Sequence, residues 1–153
     1  MTRSALILSP FSSWPENAGH RRRVAQATRL LRDAGFRITF LLYAFEDAWA
    51  RRFDEESYDA LRRQWPEVHV FHANAGVGGT PEHGDRHAID EWWDPALGAY
   101  LDNLLSRRRF DAFVIHNVWL SRAFQHAPPG TTKVLEMHDL FHRRAAVFDR
   151  LGL

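Results

Sequence analysis

Short apolar runs alternate with helix-forming segments along this chain, and this alternation limits the possible folds more than any other feature. The apolar run 5–8 is followed by Ser9 and stopped by Pro10, which is typical of a strand buried on both faces. Apolar residues then recur at helical spacing over 24–34, and Gly35 occupies the position of a helix C-terminal cap. The β-branched and aromatic run 36–43 predicts a second strand. The chain therefore opens with a strand–helix–strand unit, whose crossover is nearly always right-handed.

The same alternation continues, less regularly, through the rest of the sequence. It predicts helices over 46–65, 90–106, 118–126 and 141–151, strands over 68–72, 110–115 and 132–136, and a long glycine-containing loop over 73–87. Strands that alternate with helices indicate an α/β fold. We predict a single Rossmann-like three-layer domain over 1–153, with a mostly parallel central sheet covered on both faces.

Composition excludes several classes of function. The 153 residues include no cysteine, so disulfides, thiolate metal sites and cysteine nucleophiles are ruled out. A formal net charge of +1 gives no general reason to expect a nucleic-acid partner. Apolar runs are far shorter than the ~20 residues of a membrane span, and we expect no signal peptide, because the apolar run 5–8 is short and is stopped by Pro10. We expect a soluble, cytoplasmic protein.

Polar residues follow every predicted strand, at the point where the strand ends. They occupy 9–20, 46–47, 72–79, 116–117 and 138–139. Ligands of open parallel sheets bind outside the carboxyl ends of the strands, at the position where the strand order reverses. The sequence therefore predicts a ligand site at this edge of the sheet.

Gly19, His20 and Arg22 open the first predicted helix within the run 19–23. Cations are unfavourable at a helix N-terminus, but the backbone N–H groups there bind anions, and arginines could complete a phosphate or carboxylate clamp. We therefore take these three as candidate substrate-binding residues; the alternative is solvated arginines paired with nearby carboxylates. The sequence has neither a G-x-G-x-x-G fingerprint after the first strand nor a P-loop signature, which disfavours NAD and Walker-type nucleotide binding.

His138 and Asp139 follow the last predicted strand and are the candidate catalytic residues. His138 could act as an acid or base, or bind a substrate hydroxyl, and Asp139 could orient its imidazole. The alternative is that Asp139 caps a helix and His138 is a buried histidine. His138 and His142 are spaced four residues apart without a third ligand, so we expect no metal.

His116, Asn117 and Trp119 follow the fourth predicted strand. His116 and Asn117 suit recognition of a hydroxyl group, and Trp119 could stack on a sugar, although a tryptophan in the core is more common. The Trp92–Trp93 pair could bind an acceptor or make a peripheral membrane contact, or pack into the core. We interpret the loop that holds Gly76, Gly78, Gly79, His83 and His87 as a surface loop rather than a ligand lid.

Three stretches carry a resemblance to a known family. Residues 9–39 are similar to its opening strand, Pro/Gly loop, Arg-bearing helix and "G-hydrophobic-x-V-T" strand, with Ala18 in place of the first of two glycines. Residues 110–115 resemble its "x-D-hydrophobic-hydrophobic" fourth strand, and 134–141 its "hydrophobic-x-x-H-D" turn. Together these stretches resemble the N-terminal half of GT-B fold glycosyltransferases, especially family 4 bacterial sugar transferases.

The resemblance implies an acceptor-side domain of a hexosyltransferase-type enzyme. In that family a nucleotide-sugar donor is held mainly by a C-terminal domain, which we expect to lie outside these 153 residues, and the acceptor is a glycan, lipid-linked or small-molecule hydroxyl. Gly19 would lie near the donor phosphates or the acceptor, and His138 would match the cleft histidine. We expect no cofactor, and no sugar transfer by this chain alone.

Two other functions remain open. A non-catalytic flavodoxin-like ligand-binding or interaction module would need no second domain. RNA binding through the arginine triplets 21–23 and 107–109 fits poorly, because the triplets lie at different helix ends and the net charge is +1.

Overall fold

Strands and helices alternate through the part of the chain that the structure, a computed structural model, describes: residues 2–44, 55–74, 89–90 and 92–137. The strands are β1 (Arg3–Ser9), β2 (Phe36–Ala44), β3 (Glu67–His72), β4 (Ala112–His116) and β5 (Thr132–Glu136). The helices are α1 (Gly19–Asp33), α2 (Glu55–Gln64), α3 (Pro95–Arg107) and the 3₁₀ helix η1 (Val118–His126).

The five strands form one sheet in the order β3-β2-β1-β4-β5, and every neighbouring pair is parallel. Residues of α1 and α2, such as Val24 and Leu61, pack on one face of the sheet. Residues of α3 and η1, such as Leu97 and Leu120, pack on the other. The predicted Rossmann-like three-layer α/β domain is confirmed, with a sheet that is entirely parallel over the described strands.

This strand order decides between two doubly wound topologies. The observed order matches that of dinucleotide-type sheets, whereas in flavodoxin-like sheets the first strand lies between the second and the third. Here β1 lies between β2 and β4. The flavodoxin-like topology of the alternative function is therefore wrong for this chain.

Because the described strands are parallel, they all start at one edge of the sheet, the amino edge, and all finish at the other, the carboxyl edge. The helices that connect them run back, so α1, α2 and α3 begin at the carboxyl edge and end at the amino edge. Gly35, with φ of 87°, follows the last turn of α1 as the predicted cap, where a residue other than glycine would be strained.

The third helix begins later than the sequence predicted. It starts at Pro95 rather than Asp90, and the Asp94 side chain caps it by accepting from the Ala96 N–H at 2.8 Å. Asp90 instead has φ of 60° and accepts hydrogen bonds from η1, from Ser121 Oγ at 2.8 Å and the Arg122 N–H at 2.6 Å. An aspartate before a proline is a common helix start, so the helix begins after Asp94 instead of at Asp90.

Other predicted elements differ at their ends or lie outside the described residues. The fourth strand spans Ala112–His116 rather than 110–115, and β1 begins at Arg3. The predicted helical residues 46–54, most of the glycine-containing loop and the last predicted helix lie outside the described residues. Among the described residues, no helix has the length and apolar character needed to cross a bilayer.

Candidate functional site at the carboxyl edge

The strand order reverses between β1 and β4, and the residues that follow these two strands face one another there. The chain leaves β1 toward β2 on one side and leaves β4 toward β5 on the other. Such a reversal leaves a crevice at the carboxyl edge that ligands of α/β sheets occupy. The loop 10–18 borders it from β1, and Asn117 borders it from β4.

The loop after β1 is held by its own serines. Ser9 Oγ donates to the Phe11 carbonyl at 2.7 Å and accepts from the Phe11 N–H at 3.1 Å. Ser12 repeats this pattern on Trp14, at 2.6 and 3.1 Å. Ser13 is buried and joins the loop to the end of α2, since its Oγ donates to Gln64 at 2.8 Å and accepts from Trp65 Nε1 at 2.9 Å. The loop therefore has a defined shape.

Helix α1 begins at this edge without a side-chain cap. Ala18 is extended and makes no capping hydrogen bond, and the first turn contains no acidic residue. A Cβ added to Gly19 would meet no heavy atom within 4 Å, so this residue borders open space. The first amide N–H groups of α1 are therefore available to an anion.

The arginines of this turn also brace the loop. Arg21 Nη1 donates to the Trp14 carbonyl at 3.1 Å, and Arg22 Nε donates to the Glu16 carbonyl at 2.8 Å. The Glu16 carboxylate in turn accepts hydrogen bonds from Nη1 and Nη2 of Arg29, each at 2.7 Å. Arg22 remains exposed, so the rest of its guanidinium group can still meet an anion beside the start of α1.

A row of rings, His20, Phe11, Trp92 and Trp119, crosses the same edge. Successive ring centroids lie 4.5, 6.3 and 4.0 Å apart. His20 is exposed, Phe11 and Trp92 are half-buried, and Trp119 is 7% exposed. The structure thus places the predicted stacking residue Trp119 beneath Trp92, and Phe11 and Trp92 offer the accessible ring surface.

Two pKa shifts fix the protonation of groups in and behind this row. Although the His20 side chain is exposed, neighbouring atoms desolvate it in part, and together with the charge of Arg21 they lower its pKa, which favours a neutral imidazole near pH 7. Burial raises the pKa of Tyr43, whose hydroxyl donates to the Trp92 carbonyl at 2.7 Å. The phenol therefore stays protonated and keeps Trp92 in place.

His116 and Asn117 lie at the end of β4, as predicted, but both are buried. His116 is 0% exposed, and its Nδ1 lies 2.8 Å from Glu136 Oε2 at the end of β5. The Asn117 N–H donates to the Glu136 carbonyl at 2.9 Å. Glu136 thus ties the two strand ends together, a role that the sequence analysis did not assign to it although the pairing of adjacent strands places it opposite His116.

Asn117 combines two features that are typical of ligand sites. Its φ is 80°, a conformation that costs a non-glycine residue energy. It is 2% exposed, and among the described residues its Oδ1 has no hydrogen-bond partner. A buried carbonyl oxygen with which no described residue pairs requires an explanation, and a ligand hydroxyl or a water that reaches it would supply the missing donor.

A second concavity lies away from this edge, along the outer side of β3. Its volume is about 440 Å³, and its lining includes Tyr58, His69, His72 and Tyr100. His69 is held at both ring nitrogens, with Tyr100 Oη at 2.5 Å from Nδ1 and Glu67 Oε1 at 2.9 Å from Nε2. These fixed contacts make His69 part of the packing between β3 and α3.

The remaining predicted residues are only partly placed. His138 and Asp139, with the glycines and histidines of 76–87, lie outside the described residues, so their roles stay predictions. Trp93 stacks on His126 with centroids 5.5 Å apart and is half-buried. Across the described ranges, no three His, Asp or Glu side chains are grouped to hold a metal ion.

Comparison of the chain with protein-family models, curated proteins and solved structures gave no match. The geometry of the carboxyl edge is therefore the structural basis for proposing a function.

Proposed function

We propose that this chain is the acceptor-side domain of a GT-B glycosyltransferase, which transfers a sugar from a nucleotide-sugar donor to a hydroxyl group. One observation carries the proposal. The stretches with family resemblance are distant in sequence, yet the loop before α1, the end of β4 and the end of β5 meet at the carboxyl edge. A site assembled there would use all three.

Each part of the edge has a task in this proposal. The uncapped start of α1 and Arg22 stabilise the donor diphosphate, on which negative charge grows as the sugar leaves. Phe11 and Trp92 provide apolar ring surface for the acceptor. Asn117 Oδ1 accepts a hydrogen bond from a substrate hydroxyl. His138 and Asp139 remain the predicted acid–base pair, and the donor nucleotide binds mainly to a second domain.

Titration with inorganic pyrophosphate tests the diphosphate part of this site. In ¹⁵N-labelled protein, we expect the amide signals of Gly19, His20 and Arg21 to shift. Arg22→Gln should weaken binding by about ten-fold, because a charge-assisted hydrogen bond contributes ~1.5–3 kcal/mol. Arg122→Gln is the matched control, since Arg122 is exposed on η1, which packs on the face of the sheet opposite α1. Equal weakening by both substitutions, or unshifted amide signals at 19–21, would contradict the proposal.

A transfer assay tests the division of labour between domains. The chain alone should release no sugar from UDP- or GDP-sugars in the presence of alcohol or glycoside acceptors, because most groups that stabilise the leaving diphosphate belong to the second domain. Turnover by the purified 153-residue chain would show that the site is complete without that domain.

A further inference from the structure

Cationic side chains gather at the amino edge, opposite the candidate site. The topology brings them together, since strands start there and helices α1, α2 and α3 end there. Arg3, Arg37 and Lys133 come from the starts of strands, whereas Arg63, Arg107 and Arg109 come from helix ends. The helix dipole favours cations at helix C-termini, but it does not account for the three at strand starts.

Carboxylates do not neutralise this edge. Arg37, Arg63, Arg107, Arg109 and Lys133 are exposed, and within the described part of the chain none forms an ion pair. The acidic groups nearby are already engaged. Asp33 pairs with Arg32 at 3.0 Å, Glu67 with Arg108, and Asp111 Oδ2 accepts from the Ser4 N–H at 2.7 Å. Asp111 keeps its negative charge and offsets one of these cations, so the described part of the amino edge has an excess of positive charge in a chain whose net charge is +1.

We propose that this edge, with Arg3, Arg37, Arg63, Arg107, Arg109 and Lys133 as the arginine rim, binds the anionic surface of a phospholipid membrane. Neighbouring strands lie ~4.8 Å apart, so five strand starts span about 20 Å, which is enough for several headgroup phosphates. Guanidinium groups donate to phosphate oxygens in a bidentate manner. Leu30, 64% exposed in the last turns of α1, adds an apolar contact that suits the interfacial region.

The rim suits lipid headgroups better than nucleic acid. Single strands bind where bases can stack on accessible aromatic rings, but the rings here are covered. Arg3 lies over Phe36 at 4.3 Å, and Arg108 over Phe110 at 5.0 Å. Duplex recognition uses a helix or a β-ribbon that enters a groove, whereas the rim consists of helix ends and strand starts.

Vesicle co-sedimentation of the whole chain tests this proposal, and it does so independently of glycosyl transfer. We expect binding to vesicles that contain 30–40% phosphatidylglycerol in phosphatidylcholine, but not to phosphatidylcholine alone, and loss of binding at high salt. Each rim arginine should contribute about five-fold in affinity, equivalent to ~1 kcal/mol. Arg107→Gln with Arg109→Gln should therefore weaken binding about 25-fold.

The matched control removes two exposed charges away from the rim, through Arg23→Gln in the first turns of α1 with Arg122→Gln in η1. This variant should bind anionic vesicles within about two-fold of the wild type. Thermal unfolding checks that both double variants are folded. Three results would overturn the proposal. They are an equal loss of vesicle affinity in the two double variants, binding to neutral vesicles, and binding of a labelled 20-nucleotide RNA or DNA without binding to anionic vesicles.

Discussion

The two edges of the sheet use polar residues in opposite ways. At the carboxyl edge, polar groups such as His116, Asn117 and Asp94 are almost fully buried and most of their hydrogen bonds are made within the protein. At the amino edge, arginines are exposed and largely lack acidic partners. Buried polar groups define a shape at a cost in desolvation, whereas exposed charges act over a distance. Substitutions of the buried polar groups should therefore lower stability, whereas substitutions of the exposed arginines should leave the fold stable.

Asp94→Ala should have the largest effect on stability. Asp94 is 1% exposed and accepts from the Ala96 N–H at 2.8 Å, the Asn74 N–H at 2.9 Å and Asn74 Nδ2 at 2.9 Å. Its removal leaves α3 uncapped and takes the charged acceptor away from both Asn74 donors, at a cost of about 3 kcal/mol. Urea unfolding measures this loss, and Asp94→Asn, which keeps an acceptor, should lose about half as much. A cost below about 1 kcal/mol would mean that water replaces the carboxylate.

Glu67→Gln tests the amino edge at the half-buried carboxylate that contacts Arg108 and His69. Burial would raise the pKa of Glu67, but hydrogen bonds from Arg108 and His69 outweigh it and lower the pKa to about 2. A folded-state pKa below the unfolded value contributes stability above pH 4.5, and this contribution is lost as the pH falls toward 2. We expect Gln to cost about 2 kcal/mol at pH 7, after allowance for partial exposure, and almost nothing near pH 2.

Urea unfolding at several pH values measures the difference between Glu67→Gln and wild type. Asp59→Asn, at an exposed position of α2, is the control and should change stability by less than about 0.5 kcal/mol at every pH. A pH-independent cost for Glu67→Gln would show that packing of the side chain, rather than its charge, holds β3 to α3.

Arg29→Ala should have the smallest effect on stability, although the ion pair between Arg29 and Glu16 is bidentate. Arg29 meets both oxygens of Glu16 at 2.7 Å, and this contact lowers the pKa of Glu16. The pair is more than one-third exposed, so solvent screens it and we expect a loss of about 0.5 kcal/mol. Arg32→Ala, which removes the more exposed pair with Asp33, should cost even less. A loss of 2 kcal/mol for Arg29→Ala would make loop 10–18 an integral part of the carboxyl edge.

The sequence predicted the layers better than the site because layers follow local patterns. The apolar run 5–8 and the turn at Gly35 each determine an element by themselves, and β5 was predicted with its observed bounds, Thr132–Glu136. The predicted helix start at Asp90 was wrong because two aspartates compete in this segment, and Asp94 has the adjacent proline.

The contacts of the site depend on residues that are distant in sequence, and periodicity does not report these. Phe11 meets Trp92 at 6.3 Å across 81 positions, which no local spacing signals. The contact between His116 and Glu136 is different, because His116 directly follows the predicted fourth strand, Glu136 ends the predicted fifth, and the two strands are neighbours in the sheet. Aligning the strands in register would have paired them, so this part of the site was within reach of sequence reasoning.

The serine turns at Ser9 and Ser12 have a thermodynamic consequence for any ligand at the carboxyl edge. Because these hydroxyl groups already bond to the backbone two residues ahead, the loop after β1 has little conformational entropy left to lose upon association. A ligand would therefore meet a preorganised surface and retain more of its interaction free energy as affinity.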